Sequence, residues 1–526
     1  MDNVEVKQTH ISVVFLVGKY VYKIKKPVAP GFLDYSTLEK RRHACEEEVH
    51  VNRRLAPSVY LGVVPVVRTA SGLRVEAPGE PIEWAVKMVR LPDEASLLYR
   101  VEHGTLDANT LVILARRIAA FHSSAEGGPR AAANAHFEQV ARNARENLDH
   151  SAQHVGVTVS QNVYARLGEL LESELDRLHG LIDARASRGV ARDTHGDLRL
   201  EHVYLFPERP TPDDLVIIDG IEFNHRFRLS DPVCDMSFLV MDLMSRGRAD
   251  LARVFADAYF NAADDSEGRE LLPLYVAYRA MVRAKVRSVL ASEPEVPAAK
   301  RIAAGDRARA NWLLALGVLE NPLRAPCLVL IAGLPGTGKS TIARRLAQEA
   351  GFTVVRSDVI RKEIARKNHA VGIYTPEWDD RTYVECLRRA EQVLDHGGRV
   401  LVDANFREEG RRLMFLRAAA RRCVPFILFL CRADAEIVRI RLAARRGDAS
   451  DADWSIYRRV AKLWQDPGVQ LRDWIREVPN DGDCEDALAV ALQGLDDLLL
   501  RQSLRPVLAP VCGFAREVSE TALPCA

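Results

Sequence analysis

Gly333-Leu334-Pro335-Gly336-Thr337-Gly338-Lys339-Ser340 is the stretch that decides how this chain folds. Glycines spaced in this way let the backbone curl until successive N–H groups face one point, and a helix beginning at the lysine adds the positive end of its dipole. Both flanks have the composition this needs. Cys327 to Ala332 is a short apolar run of strand character, and Ile342 and Leu346 lie one helical turn apart before Gly351, a helix stop. Strand, glycine loop and helix in that order predict a polyphosphate cradle built from Gly333 through Thr341. In it Lys339 reaches the terminal phosphate oxygens, and Ser340 offers a hydroxyl to Mg²⁺.

Downstream, Phe352 to Arg356, Arg399 to Val402 and Val424 to Cys431 are apolar runs separated by helical segments. That alternation predicts an α/β domain with a parallel sheet covered on both faces. Ser357-Asp358-Val359-Ile360-Arg361 follows the second strand, so it emerges at the carboxyl edge shared with the glycine loop. There Asp358 is placed to take a proton from an acceptor hydroxyl, and Arg361 to steady a transferring phosphoryl group. The competing account is a helix-capping aspartate and a surface arginine. The strand Val400-Leu401-Val402 delivers Asp403 as a second candidate magnesium ligand beside Ser340. Arg439, Arg441, Arg445 and Arg446 precede Gly447-Asp448 and suit either a lid whose Arg441 and Arg445 contact nucleotide or a solvated helix face.

Upstream the texture differs. Val13 to Val17 and Tyr20 to Ile24 alternate as two strands around a Gly18-Lys19 turn, Leu38 to Leu55 reads as a helix, and Val63 to Val67 and Trp84 to Val89 return to strand. Beyond Asp107 helices dominate, with Leu167, Leu171, Leu175, Leu178 and Ile182 forming one apolar stripe. Within this half, Thr194-His195-Gly196-Asp197 is followed by Ile217-Ile218-Asp219-Gly220-Ile221-Glu222-Phe223. A loop acid and a strand-end acid of this kind suit one carboxylate for a hydroxyl proton, Asp197, and one for a metal, Asp219. A loop-stabilising hydrogen-bond pair is the alternative for His195 and Asp197.

At 526 residues the chain exceeds what a single core serves. The expected division is a kinase-like domain over 1–250, a helical extension over 251–322, a phosphate-loop domain over 323–500 and a tail over 501–526. Lys and Arg number 73 against 72 Asp and Glu, so no bulk charge draws the chain to nucleic acid or an anionic membrane. Met1-Asp2-Asn3-Val4-Glu5 has no basic, apolar leader, no later run is long and apolar enough to span a bilayer, and the nine cysteines form no CxxC pair. Cytoplasmic localisation is therefore expected. Nothing in the sequence sets the oligomeric state.

By the glycine loop and Asp358-x-x-Arg361, Pro326 to about Asp497 resembles the P-loop kinases grouped with zeta toxins and polynucleotide kinases. That resemblance implies a base at Asp358 and an orienting arginine at Arg361. By the HGD and IDxxxF motifs, residues 10 to 290 resemble the aminoglycoside phosphotransferases, which share a protein-kinase-like α+β fold. This second likeness implies that Lys23 meets the ATP phosphates and Glu48 anchors it, with Lys25 competing for the role. Two departures stand out: His202 occupies the position of the family's metal-binding asparagine and is the candidate metal ligand there beside Asp219, and no GxGxxG precedes Lys23. The order of the two halves resembles a bacterial family of two-domain predicted kinases. The combined expectation is a phosphotransferase using ATP and magnesium on a small-molecule hydroxyl. A nucleotide-dependent regulatory protein with a sensor-like first half and a 5′-hydroxyl nucleic-acid kinase are the alternatives.

Overall fold

A computed structural model describes residues 4–9, 11–29, 33–70, 72–367, 373, 375–444, 452–502 and 504. The chain divides into two compact units, residues 1–143 with 177–275 (the front unit) and residues 144–176 with 276–526 (the P-loop unit). Among the described residues no helix is long and apolar enough to cross a membrane. Arg445, Arg446, Gly447, Asp448 and nearly all of the 501–526 tail lie outside the described residues.

The front unit opens with a six-stranded antiparallel sheet in the order β1-β2-β3-β6-β4-β5. Its strands are β1 (Glu5–Gln8), β2 (Ser12–Val17), β3 (Tyr20–Lys25), β4 (Tyr60–Thr69), β5 (Gly72–Val75) and β6 (Pro81–Val89). β2 and β3 form the hairpin expected at Gly18-Lys19, with Val17 opposite Tyr20. The flanking strands β1 and β5 are exposed at every position, which leaves no apolar alternation by which to read them. The helix Leu38–Arg53, capped by the Thr37 hydroxyl, packs Cys45 and Val49 with Tyr60, Val86 and Val216. Its core face also carries the polar Glu48 and Asn52, one turn apart and both buried. A polar pair on a core face is costly unless partnered, and the partners are the candidate site.

Two short antiparallel ladders hold the chain motifs in place. β7 (Arg192–Asp193) pairs with β10 (Leu229–Ser230), and β8 (Val203–Leu205) with β9 (Leu215–Ile217). The helix Pro232–Ser245 then buries every residue from Pro232 to Leu243, Asp235 and Asp242 included.

The P-loop unit is built on five parallel strands in the order β12-β13-β11-β14-β15: β11 (Leu328–Ala332), β12 (Thr353–Arg356), β13 (Val400–Asp403), β14 (Phe426–Arg432) and β15 (Ile475–Pro479). All five residues of β11 are buried, which requires cover on both faces of the sheet and explains its unbroken apolar sequence. β15 escapes sequence reading because it is an edge strand with Arg476 and Glu477 at its centre. The stripe Leu167, Leu171, Leu175, Leu178 and Ile182 is buried throughout the helix Gln161–Ser187. The helical stretch 251–322 is divided between the units at Tyr275.

Candidate functional site

β11 ends at Ala332 and the helix Lys339–Ala350 begins at the lysine, so the glycine loop bridges strand and helix as its spacing demands. Gly336 and Gly338 have φ of 83° and 88°, a region that side chains avoid. A Cβ on Gly336 would lie 2.8 Å from Val438 Cγ1, and one on Gly338 would overlap Asn480 Nδ2. The loop is therefore packed closely at both glycines, and the Thr337 hydroxyl donates to the Leu334 carbonyl at 2.9 Å. Lys339 Nζ donates to the Leu334 carbonyl at 2.9 Å, folding its ammonium back across the loop. Asn480, just past β15, donates to the Thr337 carbonyl at 2.7 Å, and Arg441 donates to the Asn480 carbonyl at 2.7 Å. Arg441 is thus placed beside the loop; Arg445 lies outside the described residues.

Asp403 pairs in register with Ile331 on one side and with Arg356 on the other, so its carboxyl stands at the strand edge where the glycine loop starts. Burial pushes this carboxyl up from the ordinary carboxylate range, against the pull of Lys339 and a hydrogen bond from Ser340. Arg356 Nε lies 3.5 Å from Asp403 Oδ2, and a buried acid beside a serine hydroxyl fits a hard divalent cation. Asp358 opens the helix Ser357–Lys367, close enough for its charge to act on Asp403.

Arg361 is held by a residue that sequence inspection passes over. Its guanidinium meets Asp379 Oδ1 at 2.6 Å and the Ile373 carbonyl at 3.0 Å, while Arg407 meets Asp379 Oδ2 at 3.2 Å. Arg407 projects from the turn after Asp403, where Phe406 adopts φ 49°. That strained turn is fixed because Tyr383 Oη accepts from Phe406 N and the buried Arg412 donates to the Phe406 carbonyl.

In the front unit the structure brings Lys23, Glu48 and Asp219 together. Lys23 Nζ lies 2.8 Å from Glu48 Oε1 and 2.9 Å from Asp219 Oδ1. Burial would depress this ammonium, yet Asp219 and Glu48 hold it well above its usual value. Lys23 in turn pulls the Asp219 carboxyl far below the ordinary range. Asp219 follows β9 at φ 63°, with its N–H on Tyr60 Oη and that of Gly220 on Asn52 Oδ1.

Asp197 is gripped by Arg199 through both carboxylate oxygens at 2.8–3.0 Å. His202, expected as a metal ligand, has Nδ1 at 2.9 Å from the Asp197 carbonyl and Nε2 at 3.0 Å from Arg199, 3.5 Å from Asp219 Oδ2. Burial lowers the pKa of His202, and that of His195 to about 4, which favours the neutral ring in each. Buried Asp235 accepts from the N–H groups of His195 and Gly196 and from His122, and Asp242 accepts from Leu200 N. These two acids, a heptad apart, therefore hold both ends of the Asp197 loop; two acids in so apolar a helix were the available signal. Among the described residues no three His, Cys, Asp or Glu side chains are grouped to hold a metal, so a magnesium ion at either site would complete its shell with phosphate and water oxygens.

Residues 328–463 match the model of an AAA domain. An uncharacterized protein of Mycobacterium bovis and one of Mycobacterium tuberculosis are each 31% identical to this chain over 457 residues, spanning 85% of it and 88% of the relative. A cytidylate kinase of Aeropyrum pernix is 33% identical over 97 residues, 17% of this chain and 56% of that protein. Among solved structures, a gluconokinase of Sinorhizobium meliloti is similar over 34% of this chain and 95% of its own, with 17% identity and a TM-score of 0.27.

Proposed function

The chain belongs to the same family as its Mycobacterium bovis and Mycobacterium tuberculosis relatives, and we propose that it is an ATP-dependent phosphotransferase acting on a small-molecule hydroxyl. The observation that carries this is the glycine loop, closed to a Cβ at Gly336 and Gly338 and flanked by Lys339, Ser340 and Asp403. The backbone N–H groups of Gly336 to Thr341 bind the polyphosphate, with Lys339 turning from the Leu334 carbonyl to its terminal oxygens. Ser340 and Asp403 would hold a magnesium ion, which would supply charge neutralisation there. Asp358 accepts the proton of the acceptor hydroxyl as its oxygen bonds to the γ-phosphorus; the bond to the bridging oxygen breaks and ADP departs. Arg361, set in plane by Asp379, faces the charge that develops on the transferring group.

The Lys23–Glu48–Asp219 arrangement supports a second reading, of a second kinase-like nucleotide site in the front unit. Labelled ATP offered with a metabolite panel tests both. A phosphorylated product lost in Lys339→Ala belongs to the P-loop unit, and one lost in Asp197→Ala belongs to the front unit. Wild-type turnover in Lys339→Ala with loss in Asp197→Ala overturns the assignment to the P-loop.

A further inference from the structure

Behind Lys23 lies a second lysine that a simple lysine–glutamate pair does not require. Lys25 is on the same face of β3, two residues on, and its side chain is 0% exposed. Its Nζ sits 2.5 Å from Glu48 Oε2, an ion contact outside the angular range of a hydrogen bond, and it also pairs with Glu222. Glu222 further accepts from Tyr35 Oη at 3.2 Å. The charges alternate without a break: Asp219, Lys23, Glu48, Lys25, Glu222. They run from a carboxylate 45% exposed, past a lysine sealed from water, to a glutamate 6% exposed.

Glu48 therefore divides its two oxygens between two lysines, Oε1 to Lys23 and Oε2 to Lys25. A buried cation is tolerated only where its partners are complete, and here those partners are the helix that carries Glu48 and the loop that carries Asp219. Every residue of that loop is tied: Asp219 N to Tyr60, Gly220 N to Asn52, Ile221 N to the His195 carbonyl and Glu222 to Lys25. The rotamer of Glu48, and through it the position of the Lys23 ammonium, is thus set from behind.

Resting on the reading of the front unit as a nucleotide site, we infer that Lys25 is a positioning residue for that site, acting through Glu48 to hold Lys23 where polyphosphate oxygens are met. Lys25 touches no phosphate itself. The front unit is accordingly assembled before nucleotide arrives, with both the Glu48 helix and the Asp219 loop fixed by the same buried cation.

The test uses the full chain carrying Lys339→Ala, with Mg-ATP as calorimetric probe, so that residual binding reports the front unit. Adding Lys25→Met should weaken that binding by about tenfold or more, the scale of one charge-assisted contact. Because Lys25→Met also strands the buried Glu222, the double variant Lys25→Met with Glu222→Gln is the decisive one. It should recover the melting temperature lost in the single variant while the weak ATP affinity remains. Affinity that recovers together with the melting temperature, or that stays within about twofold in Lys25→Met, overturns the positioning role. Residual binding that ignores Lys23→Met overturns the front-unit nucleotide site itself, which is a separate result.

Discussion

The two units each set a lysine near a strand-end acid, but burial prevails over charge at one acid and charge over burial at the other. In the P-loop unit Asp403 is buried with its carboxyl pushed up, and Lys339 hydrogen-bonds to the neutral Leu334 carbonyl. In the front unit Asp219 is pulled down by a lysine that touches it directly, and that lysine is shared with Glu48. In the first arrangement burial outweighs the pull of Lys339 and of Arg356 at 3.5 Å, which suits a metal and a polyphosphate arriving together. The second is internally neutralised, so a nucleotide there must compete with carboxylates already in place. The proton-accepting candidates differ in the same sense: Arg199 grips Asp197 through both oxygens, whereas Asp358 has no ion pair among the described residues.

That contrast is most sharply tested at the two acids. Asp358→Asn should lower kcat for the phosphorylated product by roughly a hundred- to ten-thousandfold, the range of a lost general base, with ATP affinity retained. An equal loss of the same product in Asp197→Asn, measured side by side with labelled ATP, would erase the distinction between the units.

Asp379→Asn comes next. It removes one full charge from between Arg361 and Arg407 and leaves both guanidinium groups to reorient. Misplacement on this scale costs roughly ten- to a hundredfold in kcat while KM for ATP holds. A change in KM alone would mean that Asp379 serves nucleotide binding instead.

Removing magnesium separates the units by the same balance. ATP binding to the P-loop unit, isolated in a Lys23→Met chain, should weaken by about tenfold with chelator present, because burial disfavours the Asp403 carboxylate until a cation meets it. Binding to the front unit, isolated in Lys339→Ala, should fall less, since Lys23 and Arg199 already balance its acids. Calorimetry on the two chains reads the difference, and equal sensitivity would break the comparison.

How much of this is legible in the sequence follows from whether the parts are contiguous. The glycine loop, Ser340 and the strand before them occupy one stretch, and the fixed positions Gly333, Gly338, Lys339 and Ser340 admit few residue types, so the octet specifies cradle and sheet together. Asp403 and Asp358 are legible because they follow strands whose ends must share an edge. Asp379 is not, being one of two acids in the first turn of the helix Pro376–Asp395, with Asp380 next to it and nothing local to single it out. Asn480 lies beyond an edge strand too polar to read. The choice between Lys23 and Lys25 has no answer in the sequence, since residues two apart on a strand share a face. The fold uses both, and Glu222, three residues after Asp219, acquires its meaning only when β3 is brought against that loop.

The smallest expected effect concerns a device the two sites have in common, a buried asparagine that holds loop backbone in place of secondary structure. Asn52 is 2% exposed and makes two side-chain bonds, Nδ2 to the Glu48 carbonyl at 2.9 Å and Oδ1 from Gly220 N at 2.7 Å. Asn480 is 4% exposed and makes one, to the Thr337 carbonyl. Asn52→Ala strands a buried N–H and should cost about 2 kcal/mol; Asn480→Ala strands a carbonyl, which tolerates a missing partner better, and should cost about 1 kcal/mol. Urea unfolding followed by circular dichroism should place the Asn52→Ala midpoint below that of Asn480→Ala, and hydrogen exchange at the Gly220 amide should quicken in the first variant alone. If the amide stays protected in Asn52→Ala, the Asp219 loop is fixed by Lys25 and Tyr60 without the asparagine, and the front site is more redundantly held than the P-loop it is compared with.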